Sequence, residues 1–320
     1  MLTSLRVQRY KSLFDVAIDF EPLTVFIGPN GSGKSNIYEA VFMFASNRSF
    51  VDYSTLSVEL HQGLVQRGII NLQEGHKLVD NTKNKFWRGD IEYPIRLEAK
   101  GKMIEKCKIY NFAPYDIMKD SFSPMQSSGE GIANALAEVL FDDRDLFIEL
   151  EKRFTNLVPN VSRISLKQKE LNRQRVNSLR LADKHSDYLI PANDISDGTL
   201  RLLAFLAALY DVDSPDIICF EEPENGVHPW LLGKIMELLN QIARDGIRGK
   251  PTQIIVTTHS PILLNYVEPE QIRAVELDEE GKTQVHALPV ESKRFQKALE
   301  AYEGDLGELW FTNLFGGNPS

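Results

Sequence analysis

GPNGSGKSN, Gly28 to Asn36, follows directly on the apolar pentapeptide LTVFI, Leu23 to Ile27. A continuous apolar run of that length reads as a strand buried on both faces. Downstream, Ile37, Ala40, Val41 and Phe44 recur at helical spacing, the mark of an amphipathic helix. A glycine-rich loop between such a strand and such a helix curls its backbone so that successive N–H groups converge on an anion. The helix N-terminus adds its positive end at the same place. The pattern GxxxxGK[ST] is met by Gly28, Gly33, Lys34 and Ser35. In such a loop Lys34 would reach the β- and γ-phosphates and Ser35 would ligate Mg2+. Asn30, Gly31, Ser32, Gly33 and Asn36 complete the candidate phosphate contacts.

Three further blocks follow. IICFEEPENGVHP, Ile217 to Pro229, is an apolar strand ending in acids, the arrangement a metal-water ligand and a general base require. Glu221 is the candidate for the metal's water shell and Glu222 for the residue that polarises an attacking water. NDISDGTLRLLAFLAAL, Asn193 to Leu209, opens a long apolar helix with Ser196 and Gly198. Serine caps a helix and glycine admits close backbone approach, so this is a second helix end suited to an anion. IIVTTHSP, Ile254 to Pro261, delivers His259 to the end of a third buried strand, where ligands sit in open α/β sheets.

The rest of the chain agrees with an α/β reading. Leu5–Tyr10 and Val16–Phe20 read as short strands, and residues 161–185 as strands with a basic connection. Leu231, Leu232, Ile235, Leu238, Leu239 and Ile242 form a helical stripe. Strands alternating with helices predict a mostly parallel sheet. Ile91–Ala99 alternates, and with AKGK as a turn it is expected to pair with Ile104–Tyr110 as a hairpin. Residues 51–90 give no clear pattern.

The bulk properties bound the function. The 320 residues are 42% hydrophobic and 25% charged, with a formal net charge of −9, so any nucleic-acid contact must be local. The two cysteines, Cys107 and Cys219, are far apart in sequence and lack metal-ligand spacing; they fit a reducing, cytoplasmic setting. No apolar run reaches the ~18 residues of a membrane span.

The four blocks, in this order, resemble the ATP-binding-cassette ATPase head of the SMC/RecF/OLD group. LRVQRYKSLFDVAIDF is similar to that group's first strand pair, ISDGT to its signature motif, EEPENGVHP to the Walker B and D-loop of OLD-like members, and TTHSP to its switch histidine. The tail LGELWFTNLFGGNP is similar to stand-alone ATPases of the group. Three departures stand out: Glu221 takes the place of the usual Walker B aspartate, Asp197 that of a glycine in transporter cassettes, and no coiled coil separates the halves.

The resemblance implies a P-loop NTPase fold with a mostly parallel core sheet, an antiparallel β subdomain and a helical signature lobe. Lobe I would comprise about 1–115 and 215–320, and lobe II about 116–214. It implies ATP and Mg2+ as cofactors and a homodimer formed on ATP binding. In that dimer, Ser196 and Gly198 of one copy cap the γ-phosphate held by Lys34 of the other. Lys34, Glu222 and His259 would be catalytic, and Ser35 and Glu221 would serve the metal. Lys11 matches a basic position that contacts nucleotide phosphate in some relatives. The Q-loop glutamine would be Gln62, Gln66 or Gln73.

Two segments stay open. Residues 161–185 hold Arg163, Lys167, Lys169, Arg173, Arg175, Arg180 and Lys184 against Glu170 and Asp183. They form either a solvated hairpin or a patch for DNA phosphates or an acidic partner. In NKFWRG, Asn84–Gly89, Phe86 and Trp87 either anchor a loop or stack on a base. Three function classes are compatible with the blocks. One is a DNA-repair or anti-phage ATPase working with a separate nuclease or effector. Another is an ATP-driven dimerisation switch. A transporter cassette is the third, and the diverged signature, Tyr10-Lys11-Ser12 and EPENGVHP speak against it.

Overall fold

The computed structural model describes residues 1–46, 51–52, 57–60, 73–74, 77–78, 95–102, 104–171, 173–247 and 249–317. Chain contacts divide it into two compact units: Met1–Ile109 with Asp216–Glu222 and Met236–Ser320, and Tyr110–Pro215 with Pro223–Ile235.

The first unit opens with β1 (Leu2–Tyr10), β2 (Leu13–Asp19) and β3 (Leu23–Ile27), and α1 (Lys34–Ser46) follows the glycine-rich loop. Next come β4 (Val51–Asp52), β5 (Ser57–Leu60), β6 (Gln73–Glu74), β7 (Lys77–Leu78), β8 (Ile95–Gly101) and β9 (Cys107–Tyr110). The second unit carries α2 (Pro114–Ile117), α3 (Ile132–Asp142), α4 (Arg144–Leu157), β10 (Val161–Leu171), β11 (Gln174–Asp183), β12 (Leu189–Pro191) and α5 (Asp197–Leu209). The chain continues through β13 (Ile217–Glu221), α6 (Pro229–Asp245), β14 (Gln253–Thr258), α7 (Pro261–Leu264), β15 (Ile272–Leu277), β16 (Thr283–Ala287), α8 (Lys293–Ala301) and α9 (Leu306–Phe311).

In the first unit a six-stranded sheet runs in the order β16-β15-β3-β14-β13-β9. β15, β3, β14 and β13 are parallel to one another, and β16 returns antiparallel. β3 and β14 are buried at every position. Each fully buried Val, Ile, Leu or Phe there stabilises the fold by about 1.5–3 kcal/mol, which is why these strands read as unbroken apolar runs. A second, antiparallel sheet is ordered β2-β1-β8-β5-β4. α1 buries Ile37, Tyr38, Ala40, Val41, Met43 and Phe44 in a core shared with β1, β2, β3, β8 and Val275 of β15.

In the second unit β10 and β11 form a long antiparallel hairpin, extended by β12. The carboxylate of Asp143 caps α4 by accepting from the Leu146 amide at 3.0 Å. α5 is buried almost all round, from Leu202 to Leu209, as its continuous apolar sequence predicts. Phe205 meets Phe112 edge to face at 5.0 Å.

One expected pairing does not form. Residues 95–101 and 107–110 are not a hairpin: β8 joins the antiparallel sheet between β1 and β5, and β9 joins the edge of the parallel sheet beside β13. Two contacts divert the chain. Gly101, at φ 113°, lies so close to β1 that a Cβ would stand 2.5 Å from the Met1 carbonyl oxygen. The Asp216 carboxylate then accepts from the amides of Glu105 (2.7 Å) and Lys106 (3.0 Å), drawing the chain to the start of β13. This also brings together the two cysteines that are distant in sequence. Buried Cys219 on β13 lies beside Cys107 on β9, and burial pushes its thiol pKa up. Among the described residues no helix is long and apolar enough to cross a membrane, and no cluster of His, Cys, Asp or Glu has metal-binding geometry.

Candidate active site

The carboxyl ends of β3, β13 and β14 lie side by side, with Glu221 in register with Thr257 and Thr258 with Ile27. Residues that leave these strands are therefore gathered at one edge of the sheet. The glycine-rich loop leaves β3. Gly31, at φ 80°, sits at its exposed tip with no atom within 4 Å of a notional Cβ. Asn30 is exposed beside it. Gly33, at φ 100°, is packed hard, since a Cβ there would stand 2.1 Å from Thr283 Oγ1. Both positions need glycine, Gly31 for its backbone angle alone and Gly33 for angle and space.

Lys34 is only 7% exposed, and its ammonium donates to the carbonyls of Gly28 (2.7 Å) and Pro29 (2.8 Å), so it is folded over the inside of the loop. Ser32 Oγ is buried with no hydrogen-bond partner among the described residues. An orphaned buried hydroxyl in a glycine-rich loop fits an anion that supplies the missing partner.

Ser35 Oγ donates to Glu221 Oε1 at 3.0 Å. A hydroxyl and a carboxylate at that separation are hard oxygen donors of the kind Mg2+ takes. Tyr38, one helical turn after Ser35 and buried, lies beside the same pair. Burial and the Glu221 carboxylate push the phenol well above its ordinary pKa, so it stays neutral.

Glu222 takes φ 46°, a left-handed conformation rare for a residue with a side chain, and its amide donates to the Thr257 carbonyl at 2.8 Å. Its Oε1 lies 3.1 Å from Nδ1 of His259, which leaves β14. The two residues proposed from sequence as base and switch are thus in direct contact, across a strand boundary that no local pattern reveals.

Lys11 sits in the β1–β2 turn at φ 48°, with its ammonium on the Glu39 carboxylate and 5.6 Å from the Tyr10 ring centre. The Tyr10 hydroxyl donates to the same carboxylate at 2.6 Å. Asn36 does not face the loop tip: its amide donates to Ser12 Oγ at 2.7 Å. In the second unit, Ser196 caps α5, its Oγ accepting from the Thr199 amide at 3.4 Å and donating to Thr199 Oγ1 at 2.9 Å. A Cβ on Gly198 would meet only the Gly226 carbonyl oxygen at 3.5 Å and a Leu231 methyl at 3.9 Å, both ordinary contacts. His228 Nδ1 accepts from the Trp230 amide at 3.3 Å, at the entrance to α6. Gln73 lies in β6; Gln62, Gln66 and the NKFWRG stretch lie outside the described residues.

Sequence reasoning missed Tyr38, whose apolar-face spacing in α1 reads as core, and Ser12 and Thr283, which reach the loop only through the fold. The Tyr10-Lys11-Ser12 signal pointed at the turn but not at its serine.

This fold and this order of motifs are those of an ABC-type ATPase head, and the comparisons with known proteins support the SMC/RecF/OLD group of such heads. Residues 1–113 match the AAA ATPase domain family. Residues 129–265 match the family described as "AAA domain, putative AbiEii toxin, Type IV TA system". The OLD nuclease of Thermus scotoductus is 21% identical, with 92% of this chain and 65% of that protein covered. The DNA replication and repair protein RecF of Acinetobacter baumannii is 46% identical over 50 residues, 15% of this chain and 14% of RecF. The chain therefore spans less than two thirds of the length of either relative. Two solved SMC heads share the fold. One, from Pyrococcus furiosus, carries an extended coiled coil and is bound to the C-terminal domain of ScpA; it has 14% identity and a TM-score of 0.56 over 94% of this chain and 99% of that one. The other, bound to the C-winged helix domain of ScpA, has 16% identity and a TM-score of 0.53 over 91% and 98%.

Proposed function

We propose that the chain hydrolyses ATP with Mg2+, in composite sites formed by two copies arranged head to tail. The observation that carries this reading is the line Ser35–Glu221–Glu222–His259 beside a phosphate loop with an orphaned buried hydroxyl. Lys34 and the loop amides would hold the phosphates. Ser35 and Glu221 would hold the metal, which supplies charge neutralisation on the phosphate oxygens when bound. Glu222 would orient and deprotonate water, and His259 would fix the Glu222 carboxylate and sense the γ-phosphate. Gly198 supports the two-copy arrangement. Nothing packs tightly on it within the chain, which leaves its backbone open to a second copy's nucleotide. Lys11, held by Glu39, would turn toward phosphate when nucleotide binds.

The decisive test pairs two variants. Glu222→Gln keeps the shape and removes the base, so it should bind ATP and lose about 10²–10⁴-fold in turnover. Lys34→Ala should lose ATP binding itself. Calorimetry and phosphate release measure both, and wild-type turnover by Glu222→Gln would overturn the assignment.

The relatives' involvement in DNA replication and repair, and the nuclease of the OLD relative, favour a DNA-related role with a separate nuclease or effector partner. The β10–β11 hairpin supplies a candidate contact. Its register places Arg163, Ser165, Lys167 and Lys169 on one face with Ser178 and Arg180. Lys169 is paired with Asp120, while Arg175 faces Glu170 on the opposite side. Arg163, Lys167 and Arg180 are thus the cations this face would offer to a phosphate backbone.

A further inference from the structure

Four side-chain and backbone groups from three distant segments form one hydrogen-bonded chain around the phosphate loop. Asn36 Nδ2 donates to Ser12 Oγ at 2.7 Å. Ser12 Oγ lies 2.6 Å from Thr283 Oγ1. Thr283 Oγ1 donates to the Ser32 carbonyl at 2.9 Å. A threonine hydroxyl has a single hydrogen, and the Ser32 carbonyl takes it. Ser12 must then donate to Thr283, which leaves its own oxygen to accept from Asn36. The direction of every bond is fixed, from Asn36 to Ser32, and such chains polarise each member in turn. The Thr283 amide adds a bond to the Ser12 carbonyl at 2.8 Å, and the residue is fully buried.

The chain acts on the anion site through one peptide plane. In a trans peptide the carbonyl and the next N–H point in opposite directions. Holding the Ser32 oxygen toward Thr283 therefore turns the Gly33 N–H away from Thr283, to the opposite side of the peptide. The same hydroxyl occupies the space a Gly33 Cβ would need, at 2.1 Å. Ser12 in turn fixes the β1–β2 turn, which carries Lys11.

We propose that Thr283 is a positioning residue for nucleotide phosphate binding, its hydroxyl orienting the Ser32–Gly33 peptide so that the loop's amides face the anion before nucleotide arrives. This rests on the reading of the loop as an ATP site, and the test separates the two. Thr283→Val keeps the shape and removes the hydroxyl, leaving a buried carbonyl and a serine without their partner. Hydrogen exchange of the nucleotide-free chain should then rise about tenfold in residues 28–36, the scale of one lost buried hydrogen bond, with β14 unchanged. ATP affinity by calorimetry should fall by about the same factor. KM should rise while kcat at saturating ATP stays close to wild type. Thr283→Ser should restore all three. A variant with a lower melting temperature but wild-type loop exchange and ATP affinity would overturn the proposal, since a purely structural threonine behaves that way. If Thr283→Val does not fold, Ser12→Ala breaks the same chain one link earlier and must raise loop exchange; unchanged exchange there would equally overturn it. A wild-type chain that fails to bind ATP would refute the proposed function, while the exchange measurement still decides the role of Thr283 in ordering the loop.

Discussion

Glu222 occupies the left-handed region at φ 46° and makes its contact with His259 from there. That conformation costs a residue with a Cβ about 1–2 kcal/mol, and glycine escapes it. Glu222→Gly should therefore gain up to about 1 kcal/mol in stability while losing turnover, whereas Glu222→Gln should lose turnover with no such gain. Chemical denaturation beside phosphate release measures the contrast; a destabilised Glu222→Gly would mean that the bond to His259 outweighs the strain. At the same scale, Tyr38 supports a carboxylate one methylene longer than an aspartate and so freer to move. Removing such a supporting hydroxyl lowers metal affinity by about 10–100-fold. Tyr38→Phe should shift the Mg2+ dependence of ATP binding by that order, read by titrating Mg2+ at fixed ATP. The loop residues, both acids and His259 could be read from sequence because each stands next to a buried strand whose apolar run is unmistakable. Tyr38, Ser12 and Thr283 could not, because their roles depend on partners brought near only by sheet pairing.

Among the elements, strands buried on both faces and the amphipathic α1 were legible for the same reason, since burial dictates the residue type at every position. The hairpin expected between residues 91 and 110 failed because alternation and a glycine turn describe a local option, and β1 and Asp216 offered better partners. Asp216→Ala should release the amides of Glu105 and Lys106 and cost about 1–2 kcal/mol in unfolding free energy, with faster hydrogen exchange confined to 104–110. The basic segment shows the reverse limit: sequence could count its charges but not sort them onto faces. The register does, and it makes the DNA contact testable. Three phosphate contacts by Arg163, Lys167 and Arg180 would contribute about −3 to the log–log salt slope of duplex binding. Reversing these three to glutamate should remove that part of the slope. Reversing Arg175, on the other face, should leave it in place. Equal effects from both sets would assign binding to net charge rather than to this face.

For the molecule as a whole, the proposed assembly places Ser196 of one copy against the nucleotide of the other. Ser196→Arg should leave ATP binding at Lys34 intact and block ATP-driven dimer formation. Light scattering of Glu222→Gln with ATP, with and without Ser196→Arg, reads this directly; equal dimer content would refute the two-copy site. The net charge of −9 opposes association of like copies over distances up to about the Debye length, ~8 Å at physiological salt, so dimer content should rise with moderate salt at saturating ATP.

The motif GPNGSGKS lies within the first 35 residues, yet the strands beside β3 are β14 and β15, and Thr283 reaches Ser32 across 251 positions. During synthesis the loop therefore leaves the ribosome long before β14, β15 and Thr283. Contacts of such separation form late and slowly. A nascent chain halted short of residue 283 would display the complete motif and still lack the hydroxyl that orients the Ser32–Gly33 peptide. The order of the loop and the order of its supports along the chain are thus separated by some two hundred and fifty residues.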